Sequence, residues 1–162
     1  MLASHASQGR RCLLIVDEAQ NLAAQAVEEL RMLSNFQAGT QALLQSFLVG
    51  QPEFRAILQA PGLHALRQRV IAACHISPLD ADDTRAYIEH RLKRVGWQGV
   101  PLIMPDAFEA IFAASAGIPR RINLLCDRLL LSGFLTQKWV ISPDTVKEIA
   151  EEIDGELSCP RQ

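Results

Sequence analysis

The reading of this chain turns on Cys12-Leu13-Leu14-Ile15-Val16-Asp17-Glu18-Ala19-Gln20, where five apolar residues run unbroken and stop at two adjacent carboxylates. A short continuous apolar run bounded by polar residues predicts a strand buried on both faces, as in a parallel sheet covered by helices. In open α/β sheets, ligands bind just beyond the carboxyl ends of the strands. Asp17 and Glu18 stand at that place. An Asp there can hold a Mg2+ ion that bridges nucleotide phosphates, directly or through water. A neighbouring Glu can orient or deprotonate an attacking water. The plain alternative is a buried strand followed by an acidic helix cap with no chemistry.

The 162 residues suffice for one domain, or one with a small satellite. Nearly half are apolar and 21% are charged, an ordinary globular composition. The net charge of −2 gives no overall basic field for nucleic acid. Cys12, Cys74, Cys126 and Cys159 are widely separated, with no Cys-x-x-Cys pair. That argues against zinc and for reduced, mostly buried thiols. His5, His64, His75 and His90 also lack metal-ligand spacing. No apolar run approaches membrane-spanning length, and Met1 to Arg11 has no signal-peptide core. A cytoplasmic location is expected, with any inner-membrane attachment made through partners.

Met1 to Gly9 is polar and small and reads as a loop. After the first strand, Asn21 is placed to cap a helix. Leu22, Ala26, Val27, Leu30 and Leu33 recur at helical spacing, and Gly39 suits the loop beyond. Leu43 to Val49 reads as a second strand, stopped by Gly50-Gln51-Pro52. Pro52 suits the first turn of a helix over Glu53 to Gln59. Pro61-Gly62 breaks it, a second short helix follows over Leu63 to Arg69, and Val70 to Ile76 is a third strand candidate.

From Asp80 onward the pattern is helical. Asp80 or a neighbour caps a helix with Ala81, Thr84, Ile88, Leu92 and Val95 on one side. Gly96 to Pro105 reads as a loop, briefly extended at Leu102-Ile103. Phe108, Ile111 and Phe112 mark a helix ending at Gly117. Pro119 opens another, striped by Ile122, Leu125 and Leu129. Ser142-Pro143 starts a last one, with Val146, Ile149 and Ile153 facing inward and fraying expected from Gly155.

Three further features follow Asp17-Glu18. Gln51, at the end of the second strand, can touch a γ-phosphate or hold the attacking water; otherwise it is a turn residue before Pro52. Leu66-Arg67-Gln68-Arg69 places arginines at an exposed helix end. From there they can reach a neighbouring subunit and stabilise phosphoryl transfer, or simply complement the helix dipole. In Gly117-Ile118-Pro119-Arg120-Arg121-Ile122-Asn123 an Arg falls in a helix first turn, where the dipole disfavours it. Contact with a nucleotide phosphate gives it a reason, and a surface salt bridge is the alternative.

Together these residues resemble the AAA+ ATPases, P-loop NTPases of the bacterial general secretion pathway protein A type. That type includes the ATPase of exosortase and PEP-CTERM exopolysaccharide systems. The strings that carry the likeness are Leu-Leu-Ile-Val-Asp-Glu-Ala-Gln-Asn-Leu, Glu-Glu-Leu-Arg-Met-Leu-Ser-Asn, Phe-Leu-Val-Gly-Gln-Pro-Glu, Leu-Arg-Gln-Arg-Val, Tyr-Ile-Glu-His-Arg-Leu and Gly-Ile-Pro-Arg-Arg-Ile-Asn-Leu-Leu-Cys-Asp. They run from about Arg11 to Ile153. The resemblance implies an ATPase with ATP and Mg2+ as cofactors. Asp17 would be the Walker B magnesium-site acid and Glu18 the catalytic glutamate. Gln51 would be sensor 1, where Asn or Thr is commoner. Arg69 would be the arginine finger, with Arg67 second, and Arg120 the sensor 2 arginine, with Arg121 its neighbour. The implied partners are nucleotide, further copies of the chain meeting through Arg69, and membrane-associated secretion or export proteins. Nucleic acid is opposed by the acidic balance, although related AAA+ proteins leave a DNA role open.

The fold expected from this is α/β: an incomplete P-loop parallel sheet with helices over residues 1–78, a small all-helical lid with sensor 2 over 79–154, and a tail over 155–162. No Gly-x-x-x-x-Gly-Lys-[Ser/Thr] string, which would cradle the β and γ phosphates, occurs in the chain. The chain therefore reads as the C-terminal part of an AAA+ module, with a strand missing between those over Leu43–Val49 and Val70–Ile76. On its own it is expected to be poorly stable, rearranged or dependent on a missing segment, and inefficient in hydrolysis. A non-catalytic interaction module is the competing reading. A DEAD/DEAH-type helicase, suggested by Asp-Glu-Ala-Gln, lacks the Ser-Ala-Thr motif after the second strand.

Overall fold

Strand β1, Cys12–Val16, lies parallel to β4, Leu44–Leu48, with Cys12 opposite Leu44 and Val16 opposite Leu48. The computed structural model in which this pairing is seen describes residues 2–39, 41–59 and 63–158. The chain divides into two compact units, Met1–Cys74 and His75–Gln162.

The first unit opens with a short helix α1, Leu2–Ala6, where the sequence reads as a loop. Its capacity for a turn is local: Ser7 and Gly9 close it through backbone bonds to Ala3 and Ala6. After β1 a 3-10 turn, Ala19–Asn21, leads to α2, Ala24–Leu33. Asn21 is consumed in that turn, so the cap position falls on Ala23, which offers no side-chain bond. Val27 and Leu30 are buried, as their spacing requires. A small antiparallel hairpin, β2 (Gln37–Ala38) and β3 (Gln41–Ala42), precedes β4. Gly39 takes the positive φ of its turn, 62°, a conformation that costs glycine little. Helices α3, Glu53–Leu58, and α4, His64–Arg67, complete the unit. The Pro61-Gly62 break lies outside the described residues.

Two strand expectations are corrected. Strand β1 is not buried on both faces: Leu13 and Ile15 are 59% and 62% exposed, and Phe47, opposite Ile15, is 60% exposed. Among the described residues this sheet has two strands, and its burial alternates along β1, the signature of a sheet covered on one side. Val70 to Ile76 is not a strand. Residues 70–80 carry no regular structure, and Ile71 and Ile76 stand 99% and 89% exposed. A strand exists through ladder hydrogen bonds to a neighbouring strand, and among the described residues no strand pairs with this segment.

The second unit contains α5 (Ala81–Arg94), α6 (Pro105–Ser115), α7 (Pro119–Thr136) and α8 (Pro143–Ser158). A two-residue parallel pair, β5 (Leu102–Ile103) with β6 (Val140–Ile141), ties the α5–α6 connection to the α7–α8 connection. Local chemistry explains the boundaries. Asp80 caps α5 by accepting from the Asp83 N–H at 2.8 Å. Pro119 and Pro143 open α7 and α8 where no N–H partner is needed. Ser142 accepts from the Thr145 N–H at 3.3 Å. The core is a single cluster that includes Ile88, Phe108, Ile111, Ile122, Leu129 and Val146. Val95, expected inward, is 82% exposed, because α5 ends one residue earlier and Val95 leaves the helical stripe. α8 continues through Gly155 to Ser158, and Glu156 pairs with Arg128 at 2.7 Å.

Among the described residues no helix is long and apolar enough to cross a membrane. Cys74 is exposed, against the expectation of mostly buried thiols, and Cys12 and Cys126 are half-buried. Burial pushes the Cys126 thiol up to about 12, with the Asp127 carboxylate adding to the shift.

Candidate functional site

Parallel pairing sends β1 and β4 out of the sheet at the same end. The ladder continues past both strands, with Val49 N–H donating to Val16 O at 2.8 Å and Ala19 N–H to Val49 O at 2.9 Å. Asp17-Glu18 and Gly50-Gln51 therefore emerge side by side. In α/β sheets ligands bind beyond this carboxyl end of the strands.

The turn after β1 is tightly specified. Asp17 Oδ1 accepts from the Glu18 N–H at 2.8 Å. Glu18 itself sits in the left-handed region at φ 52°, ψ 41°. For a residue with a Cβ this costs on the order of 1–2 kcal/mol, and it turns the Glu18 side chain out of the strand direction. Both carboxylates are exposed. Asp17 Oδ2 has no protein hydrogen-bond partner among the described residues, so a hard oxygen donor is available at the strand end, the donor type Mg2+ takes.

Gln20 links the two strand ends. Its Oε1 accepts from the Gln51 backbone N–H at 3.0 Å, and its Nε2 donates to Glu18 Oε2. The backbone N–H can only donate, which fixes the orientation of the amide. Gly50 makes room for it: a Cβ there would lie 3.0 Å from Gln20 Oε1 and 3.1 Å from Phe54 Cβ. The Gln51 side chain is exposed. Gln20 is the residue that sequence reasoning passed over. The available signal was an amide two residues beyond the acidic pair and a glycine at the facing strand end.

Arg69 is engaged within its own unit. Its Nη1 donates to Arg31 O at 3.1 Å, to Ser34 Oγ at 2.8 Å and to Asn35 Oδ1. These groups close the C-terminal end of α2, where free carbonyls and the dipole favour a cation. Arg67, on the last turn of α4, is exposed. Arg120 lies in the first turn of α7 in the second unit, exposed and with no hydrogen bond or ion pair among the described residues. Arg121 instead borders a cavity of about 490 Å³ floored by Ala110, Ala114, Leu125 and Val146. Thus Asp17, Glu18 and Gln51 come together, Arg69 caps a helix of the same unit, and Arg120 belongs to the other unit.

Residues 1–58 match the family model described as an AAA domain. Over 154 residues the chain is 38% identical to general secretion pathway protein A of Aeromonas hydrophila, an alignment covering 95% of this chain and 28% of that protein. The fold is similar to that of a mutant of Thermotoga maritima RuvB, with a TM-score of 0.63 at 21% identity, over 93% of this chain and 48% of that one. The chain spans less than half the length of either.

Proposed function

We propose that the chain is an AAA+ ATPase region related to general secretion pathway protein A, and that its first unit supplies the hydrolytic side of an ATP site. Turnover there would drive a secretion or exopolysaccharide-export assembly from the cytoplasmic side of the inner membrane. The observation that carries the reading is the meeting of Asp17, Glu18 and Gln51 at one end of a parallel strand pair.

In this reading a water oxygen attacks the γ-phosphorus, the bond to the β–γ bridging oxygen breaks, and ADP leaves with that electron pair. Glu18 accepts the water's proton through its exposed carboxylate. Asp17 would hold Mg2+, which neutralises phosphate charge when bound. The Gln51 amide orients the water or the γ-phosphate. Arg120 contacts nucleotide phosphate from the first turn of α7. Arg69, or Arg67 beside it, serves the site of a neighbouring copy in a homo-oligomer. The cradle for the β and γ phosphates is not among these 162 residues, and in this proposal it comes from outside them. Catalysis then consists of positioning and electrostatics.

The test is steady-state ATP turnover by the assembled ATPase that contains this chain. Asp17→Asn and Glu18→Gln are each expected to lower turnover about a hundredfold or more, with Glu18→Gln retaining nucleotide. Unchanged turnover in both would overturn the reading. A non-catalytic interaction module is the second reading, and the exposed apolar row of Leu13, Ile15 and Phe47 favours it. It requires an assembly that keeps its full function when Glu18 is replaced by Gln.

A further inference from the structure

We propose that Gln20 is a positioning residue for hydrolysis, holding the Glu18 carboxylate in register with the end of β4. The inference rests on the reading of Glu18 as the base. Three observations carry it. Glu18 has a left-handed backbone and its side chain makes no cap hydrogen bond to the turn that follows. The Gln20 amide supplies that support at Glu18 Oε2, which leaves Oε1 to accept a proton from water. The other half of the same amide accepts from Gln51 N–H at 3.0 Å, and Gly50 keeps the space that this arrangement needs.

A planar amide that donates at one end and accepts at the other couples its two partners geometrically. Any shift of the Gly50-Gln51 turn relative to β1 must move the Gln20 carboxamide and with it the Glu18 carboxylate. With Gln51 read as the residue that touches the γ-phosphate, Gln20 links the position of the base to that contact. A base displaced by about an ångström loses much of its effect.

The two halves of the amide can be separated by substitution. Gln20→Glu keeps an oxygen for Gln51 N–H and removes the donor to Glu18. Gln20→Met keeps the length and removes both. In the assembled ATPase, Gln20→Glu sets a second carboxylate against Glu18 and is expected to lower kcat about tenfold or more, with nucleotide still bound. Gln20→Met is expected to lower kcat at least as far. A purely structural Gln20 would lower Tm in Gln20→Met and leave its kcat intact, and that result overturns the proposal. Glu18→Gln measured alongside separates the two claims. If Glu18→Gln abolishes turnover while both Gln20 variants keep it, the positioning role alone is wrong. If Glu18→Gln turns over normally, the reading beneath it is wrong.

Discussion

Arg69 Nη1 donates to the main-chain oxygen of Arg31 at 3.1 Å, closing the C-terminal end of α2 from a residue 38 positions away. An arginine so engaged contributes to the stability of its own unit. Replacing Arg69 by Ala leaves the Arg31 carbonyl to water and removes a cation from a helix C-terminus. The expected loss is about 1 kcal/mol, read as a lower urea midpoint for the first unit. Arg67→Ala is expected to leave that midpoint unchanged. If both arginines prove silent in unfolding, the cap contributes nothing to stability.

Gly117 should tolerate no side chain. Its φ is +68°, and a Cβ would lie 1.9 Å from the Leu79 carbonyl oxygen, whose own N–H donates to Gly117 O at 2.9 Å. Gly117→Ala is therefore expected to cost about 3 kcal/mol or more. Thermal unfolding of the second unit followed by circular dichroism would show it as a fall in Tm. An unchanged Tm would mean that the Leu79–Gly117 contact is not tight.

The two units should differ in stability. The second contains a contiguous buried cluster of aliphatic and aromatic side chains. In the first, the described buried residues are Ala19, Val27, Leu30 and Phe54. Burial of apolar area is the dominant stabilising term, so limited proteolysis should cut first within residues 1–74 and leave a helical fragment beginning near His75. Equal cleavage rates in both units would contradict this.

Glu89 provides a pH-dependent term. Hydrogen bonds from Arg85 and then Lys93, with their charges, hold its carboxyl below the ordinary 4.5, against a smaller opposing effect of burial. A depressed folded-state value means that the contribution is fully present above the unfolded carboxylate value and is lost as pH falls through the folded one. Tm measured from about pH 6 down to about pH 3 should fall less steeply in Glu89→Gln than in the unsubstituted chain. Parallel curves would show that the pair is too well solvated to matter.

Much of this fold is legible in the sequence because its signals are local. Asp80, Pro119, Ser142-Pro143 and Gly117 each state a helix boundary through their own hydrogen bond or dihedral. The run Leu13 to Val16 states a strand, and the acidic pair beyond it falls at that strand's carboxyl end. What escaped depends on distant partners. Val70 to Ile76 has β-branched residues at both ends, yet a strand is made by its neighbour. The exposure of Leu13 and Ile15 reflects what covers a sheet, which a strand's own residues do not encode. The turn at Gly39 reads as a loop, and the hairpin around it requires cross-strand pairing. Arg69 reads as a free helix-end cation until α2 is placed beside it. Gln20 reads as a polar residue after the acidic pair until β4 brings the Gln51 N–H within 3.0 Å.

Whether Glu18 activates water at this strand end is read most directly in a single turnover. The assembled ATPase, with and without Glu18→Gln, is loaded with MgATP, and bound nucleotide and released phosphate are measured in the same sample. The variant is expected to bind ATP as the unsubstituted protein does and to release phosphate at least about a hundredfold more slowly. Equal occupancy with phosphate released at the unsubstituted rate would contradict it.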